Sequence, residues 1–265
     1  MCPLQQTDVA QWGVDPAEVF AVARANLARR PVTGEPSREV PGAIRIVGPN
    51  AYDAALLTSP RDVRSTAARV GLAMRPDEAV LALIPTRDDL LVLPSADDDL
   101  VTAALAWAAH RFRESSRRVS PVPYRLTEQD VEPWLPSPSR PCHPHVVDAG
   151  RLLADAEYHY QKLALDEVIE RSGEDLFVAS YMLAGSGQSV ATWGQDVDTL
   201  LPEAEHIFFV ADDRPASVLV LWDDARRITG PLMSAEPDMN PPRWRVHGWP
   251  PPPVLDELRA VAREI

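Results

Sequence analysis

The chain has little of what marks a secreted, disulfide-bonded or membrane protein. It contains two cysteines, Cys2 and Cys142, in 265 residues, too few for a disulfide framework. Its apolar runs fall far short of the roughly 20 residues that a membrane-spanning helix needs. The first residues show neither the basic start nor the apolar block of a secretory signal. These absences predict a cytoplasmic protein without a membrane partner.

Lysine is nearly absent, and acidic charge outweighs basic charge. Lys162 is the single lysine, and 26 basic residues face 39 acidic ones, which gives a formal charge of −13. Residues 136–265 carry 11 basic and 21 acidic side chains, a charge of −10. Such a field repels phosphate backbones, so we expect no nucleic-acid partner. A protein partner of this half should present a basic or neutral surface.

Apolar residues make up 45% of the chain, enough for a folded core, and their spacing alternates between helix and strand. Two apolar runs around the turn 85–89 predict a hairpin over 80–94. Helices are predicted at 15–29, from Ser59, at 95–112 and at 149–172. In the second half, 177–183 is predicted as a strand and 196–201 as a helical turn. The sequence therefore predicts an α+β fold of two linked halves, each a small, mostly antiparallel sheet covered by helices. One continuous sheet is the alternative.

A proline-rich stretch separates the two halves. Residues 132–144 hold five prolines, which disfavours a helix or a sheet interior. We predict a first half over 1–132, a semi-rigid connector over 133–147 and a second, acidic half over 148–265. The halves share a rough order of elements, and both of their central turns carry Arg and Asp. A decayed duplication is therefore a further hypothesis.

Part of the first half resembles the YtpQ-like bacterial family. The resemblance rests on Tyr52-Asp53-Ala54 with Leu57, then on an apolar strand that runs into Pro85-Thr86-Arg87-Asp88 and a second apolar strand. It covers about residues 42–126, under a third of the chain. The resemblance implies a bacterial, cytoplasmic protein with an α+β fold, and it implies no reaction.

No complete catalytic motif occurs in the sequence. Gly185-Ser186-Gly187 lacks the glycine spacing of a nucleophile elbow, so we interpret it as a hairpin turn. The turn Arg87-Asp88-Asp89 and its counterpart Asp212-Asp213-Arg214, with Asp223, could bind a ligand or serve an enzyme that acts on a small molecule. Solvated turns commonly carry the same residue types. We therefore predict no catalytic residue.

The densest set of metal-ligand types is Cys142, His143 and His145. Thiolate and imidazole are good zinc donors, but a structural zinc site takes four ligands. The motif supplies three, and Pro144 stiffens the segment between the two histidines. We expect an exposed connector and predict no metal and no cofactor, with metal binding as an open alternative.

Four of the seven tryptophans fall in the acidic half. Trp193 and Trp222 are expected in the core, whereas Trp244 and Trp249 precede a run of prolines and could form an exposed aromatic ridge. On the long helix, 3.6-residue spacing predicts an apolar side that includes Ala156, Tyr160, Leu163 and Ile169.

These features together predict a non-catalytic, cytoplasmic protein-binding module of a regulatory or immunity type. The predicted binding residues are Arg87, Asp88, Trp244 and Trp249. Two alternatives stay open. One is an enzyme of unfamiliar type that uses the turn carboxylates and arginines, and the other is a metal-binding protein.

Overall fold

A computed structural model describes residues 11–29, 31–48, 53–73, 75, 78–195, 197–211 and 217–263. The chain divides into two compact units, Met1–Gly150 and Arg151–Ile265. Each unit has its own apolar clusters. Helices and mostly antiparallel sheets occur in both units, which confirms the predicted α+β fold class.

The first unit is built on a six-stranded sheet whose described pairs are all antiparallel. The strand order is β1-β2-β4-β3-β5-β6. The predicted hairpin over 80–94 is confirmed as β3 and β4, and every residue of β3 is buried. The strands are β1 (Thr33–Pro36), β2 (Ile44–Val47), β3 (Val80–Thr86), β4 (Leu91–Pro94), β5 (Arg118–Leu126) and β6 (Val131–Pro133).

Helices cover both faces of this sheet. The mostly exposed helix α1 (Pro16–Ala28) precedes the sheet, and the covering helices are a 3₁₀ helix (Asp53–Thr58), α2 (Pro60–Arg69) and α3 (Asp98–Glu114). Asp15 and Asp97 cap α1 and α3, because their carboxylates accept from the backbone N–H groups of Ala17 and Leu100 at 2.8 and 3.0 Å. Helix α3 packs on one face of β3 and β4, and α2 packs on the other.

Regular structure extends into the proline-rich stretch that was predicted as a connector. Pro133 ends β6 at the edge of the sheet, and Pro144 is the second residue of α4 (His143–Ser172). Proline is tolerated in both places, since neither position needs its missing N–H. Helix α4 thus begins six residues before the predicted position 149. The division between the units at Gly150 falls inside this helix.

The second unit contains two four-stranded sheets instead of the single sheet predicted. Their strand orders are β13-β14-β10-β7 and β12-β11-β9-β8, and the pairs β7–β10 and β9–β11 are parallel. The strands are β7 (Phe177–Val178), β8 (Met182–Leu183), β9 (Ser189–Gly194), β10 (Thr199–Pro202), β11 (His206–Val210), β12 (Val218–Leu221), β13 (Met233–Ala235) and β14 (Arg243–Val246).

Two features of the strands explain why the second unit has two sheets. The segment 177–183, predicted as one strand, splits into β7 and β8, which join different sheets. The predicted helical turn ending at 201 is wrong, because Leu200 and Leu201 of β10 enter two separate apolar clusters from opposite faces of the strand. The two units therefore pair their strands differently, and the duplication stays a hypothesis.

The second unit is completed by α5 (Trp222–Thr229), a short 3₁₀ helix (Gly230–Leu232) and α6 (Pro252–Ala260). Trp193 and Trp222 are 0% and 5% exposed, so their predicted core positions are confirmed. The segment 185–187 forms the predicted turn between β8 and β9, where Ala184 N–H donates to the carbonyl of Gln188 at 2.8 Å. In the described part of the chain, no helix combines the length and apolarity needed to cross a bilayer.

Candidate functional site

The turn between β3 and β4 gathers charged side chains at one end of the first unit's sheet. Asp88 accepts from Arg117 Nη1 at 3.1 Å, and its other carboxylate oxygen lies 3.7 Å from Arg87 Nε. The Arg87, Asp88 and Arg117 side chains are 40%, 33% and 53% exposed. An ion pair this exposed contributes little to stability. The two predicted binding residues therefore lie together on a solvated turn.

Asp89, the next residue, is buried instead. Its carboxylate accepts from the Thr86 hydroxyl at 2.7 Å and from Arg111 Nε and Nη2 at 3.0 and 3.3 Å. Only 5% of the Asp89 side chain is exposed. These charge-assisted bonds tie the turn to the last turns of α3, so Asp89 has a structural role.

The two segments that carry the YtpQ-like resemblance meet at this turn. Ala54 N–H donates to the carbonyl of Arg87 at 3.1 Å. Asp53 is 3% exposed and accepts from Gly48 N–H at 2.7 Å. Burial raises the pKa of Asp53, against the lowering effects of that hydrogen bond and of the Arg45 charge. Tyr52 lies outside the described residues.

The second turn of the enzyme hypothesis is largely outside the described structure. Asp212, Asp213 and Arg214 all fall there, and Asp223 is exposed on α5 of the second unit. At the first turn, Asp53, Asp88 and Asp89 each accept a hydrogen bond from a neighbouring backbone or side-chain donor. Carboxylates bonded in this way are typical of structural charge networks.

Cys142, His143 and His145 do not converge. The Cys142 side chain is fully buried in the first unit's core, and its thiol is hydrogen-bonded to Asp98. His143 Nδ1 lies 3.0 Å from the carbonyl of Pro136, and His145 is exposed. Helix α4 begins here and directs successive side chains about 100° apart. No group of three or more metal-ligand residues occurs among the described residues.

The buried thiol of Cys142 should react slowly. Burial and the hydrogen bond to Asp98 raise its pKa to about 11 from an ordinary 9.0. In a Cys2→Ser variant, we expect Cys142 to react with an aromatic disulfide reagent at pH 8 at least about tenfold more slowly in the native state than in denaturant, since less thiolate is present. Absorbance of the released thiol measures both rates. Equal rates in the two states would contradict this expectation.

Trp244 and Trp249 lie at the margin of the second unit's core, and both are half-buried. The Trp244 ring meets Trp222 edge-on at 6.2 Å, and the Arg226 guanidinium lies 4.4 Å from the Trp244 ring centroid. The Trp249 ring packs edge-on against Phe209 at 6.2 Å. Their internal contacts leave only part of each ring exposed, so they do not form an open ridge.

A buried arginine explains how α4 is oriented in the second unit. Arg243 on β14 is 0% exposed. Its guanidinium donates to Gln161 Oε1, to the carbonyls of Ala179 and Leu200 at 2.9 Å each, and to the carbonyl of Tyr158 at 3.4 Å. Burial lowers the pKa of Arg243 to about 10, so the side chain remains charged at neutral pH.

This network turns α4 away from its predicted orientation. Tyr158 is 3% exposed, donates to the carbonyl of Pro242 at 2.8 Å and accepts from Glu203 N–H at 3.0 Å. Burial raises the pKa of Tyr158 to about 12. Tyr160 and Leu163, predicted to face inward, are 59% and 51% exposed. The prediction failed because polar Gln161 occupies a core-facing position on this helix.

The carboxylate of Glu205, the residue before β11, is a second polar group that bonds to β9. Glu205 accepts from Arg151 Nε and Nη2 at 3.0 and 2.6 Å and from Ser189 N–H at 2.8 Å. Burial alone would raise the pKa of Glu205, but the bonds from Arg151 and Ser189 outweigh it and hold the pKa below its usual range. Ser189 Oγ accepts from Glu205 N–H at 2.9 Å. These reciprocal bonds give the group a structural role.

Comparison with known proteins adds no functional assignment. The sequence matches no protein-family model, no curated protein and no solved structure.

Proposed function

We propose that the protein is a non-catalytic, cytoplasmic protein-binding module of a regulatory or immunity type, which contacts its partner through the second unit. The proposal depends on one observation, three large apolar side chains exposed on the solvent face of α4. Tyr160, Leu163 and Val168 are 59%, 51% and 53% exposed. At about 100° per residue, the three side chains lie within an arc of about 140°.

Strand β7 presents one more exposed aromatic side chain at the flank of the helix. Lys162 of α4 donates to the carbonyl of Val178 at 2.8 Å, and its ammonium group lies 5.4 Å from the ring centroid of Phe177. Phe177 is itself 48% exposed. We call the side chains of Tyr160, Leu163, Val168 and Phe177 the α4–β7 surface. Clustered exposed apolar and aromatic groups are typical of protein-interaction sites.

The negative charge of the second unit indicates which kind of partner it can bind. Residues 151–265 carry 10 basic and 20 acidic side chains, a formal charge of −10, and exposed Glu157, Glu167 and Glu170 stand on α4 itself. A partner that presents apolar anchors within a basic rim complements such a surface, whereas nucleic acid is repelled. The half-exposed Trp244 and Trp249 are secondary contact candidates, and Arg87 with Asp88 stays a predicted contact in the first unit.

The α4–β7 surface can be tested by site-specific crosslinking. With a photoreactive phenylalanine analogue at position 160, we expect one predominant crosslinked protein in cells of the source organism. The identified partner should carry a basic surface. Purified, it should bind the wild-type chain, and binding should weaken at least tenfold between about 0.1 and 0.5 M salt.

Two variants of equal added charge provide the control. Leu163→Arg lies in the α4–β7 surface and should weaken binding of that partner by about tenfold or more. Ser234→Arg lies on exposed β13 and should leave the affinity within about twofold. Equal effects of the two variants, or equal crosslinking from positions 160 and 234, would count against the proposal.

A further inference from the structure

A cavity of about 300 Å³ lies between the sheet of the first unit and α3. Its polar lining includes Ser37, Glu39, Arg45, Trp107, His110 and Arg111, with Asp89 beside them. Side chains alternate along a strand, so Ile44 and Ile46 of β2 enter the cluster under α2 while Arg45 turns to the opposite face. The basic side chain of Arg45 therefore points towards α3 and into this cavity.

Arg45 has unused hydrogen-bonding capacity. Its Nε is buried and has no hydrogen-bond partner within the described residues. A buried donor without an acceptor is costly to the fold, and a guanidinium presents a flat fork of donors that matches a carboxylate. This combination points to an acceptor that comes from outside the chain.

The cavity's acidic side chains already have other bonds. Asp89 is held by Thr86 and Arg111, and exposed Glu39 accepts from the Ser37 hydroxyl at 3.3 Å. In the described part of the chain, neither carboxylate forms an ion pair with Arg45. Both still place negative charge near the cavity, which disfavours a dianion and favours a ligand of single negative charge.

We propose that this cavity binds a small organic monocarboxylate that carries an aromatic or apolar group. The carboxylate accepts from the Arg45 guanidinium, and the apolar part packs against the half-buried indole of Trp107. A volume of about 300 Å³ is at the lower limit for ligand pockets, so the ligand is small. This site lies in the first unit and is independent of the α4–β7 surface.

Calorimetric titration of the full chain with benzoate tests the site. We expect saturable binding with a dissociation constant of about 1 mM or lower. Arg45→Gln should weaken binding about tenfold or more, because it removes the charge and the fork. The matched control Arg113→Gln changes an exposed arginine on the same helix as Trp107 and should leave binding unchanged. Inorganic phosphate should bind about tenfold more weakly than benzoate.

The variant Arg45→Lys distinguishes the contribution of positive charge to binding from that of the planar guanidinium. The lysine retains the charge but lacks the flat fork, so we expect an affinity between those of wild type and Arg45→Gln. Thermal unfolding of each variant verifies that it folds. No saturation by benzoate up to about 10 mM would overturn the proposal, as would unchanged affinity in Arg45→Gln. Phosphate that binds as tightly as benzoate would also overturn the assigned ligand class.

Discussion

Replacing Arg243 with alanine is expected to lower the free energy of unfolding of the second unit by about 3–5 kcal/mol. The change removes the donor that satisfies Gln161 Oε1 and the carbonyls of Ala179 and Leu200. It also leaves a void at a position that is fully buried. These groups belong to α4, β10 and the segment after β7, so the loss of one side chain loosens three elements together.

Native-state hydrogen exchange of the β10 and β14 amides reports this loss for the second unit itself. The matched control is Arg245→Ala, two residues along the same strand. Arg245 pairs with Glu174 and Glu236 at 3.0 and 3.3 Å, and its side chain is 25% exposed. Its removal should cost less than about 1 kcal/mol. Similar losses in the two variants would show that Arg243 does not carry the proposed structural role.

Asp89→Ala is expected to lower the free energy of unfolding of the first unit by about 2 kcal/mol. The substitution leaves the buried Thr86 hydroxyl without its acceptor and releases Arg111 from the turn. Arg111 is 46% exposed and can be solvated by water. The cost should therefore lie below that of a fully buried ion pair. Urea unfolding followed by circular dichroism gives the free energy.

The neighbouring residue Asp88 supplies the control for this prediction. Its side chain is 33% exposed and its partner Arg117 is 53% exposed. Asp88→Ala should therefore cost less than about 0.5 kcal/mol. If Asp88→Ala lowers the free energy of unfolding as much as Asp89→Ala does, burial does not determine how much these turn contacts contribute to stability.

Much of the first unit could be predicted from its sequence, because its apolar residues follow the period of a helix or a strand. The hairpin over 80–94 and the helix over 15–29 were predicted in this way. Charged Arg87 and Asp88 were correctly placed in a turn. The role of Arg45 was missed, although an arginine between two buried isoleucines was a visible signal. Its cavity depends on loop and helix positions that periodicity does not report.

The second unit was harder to predict because its core contains charged and polar groups. A pattern of apolar residues assigns Gln161 and Arg243 to the surface, yet both bond to each other inside the fold. The hydrogen bonds of Arg243 thus determine which side of α4 is buried, against the apolar spacing in its sequence. Adjacent Leu200 and Leu201 do not show the alternation of a half-buried strand, because apolar clusters lie on both sides of β10.

The position of α4 has a consequence for expressing the two units as separate fragments. Val146 and Ala149, near its start, belong to the first unit's core, while Leu165 and Ile169 pack in the second unit. A fragment that stops before residue 143 would lose part of its interior, and one that starts at 151 would begin with unpaired backbone N–H groups in mid-helix. Soluble fragments would need to overlap, with residues 143–150 present in both.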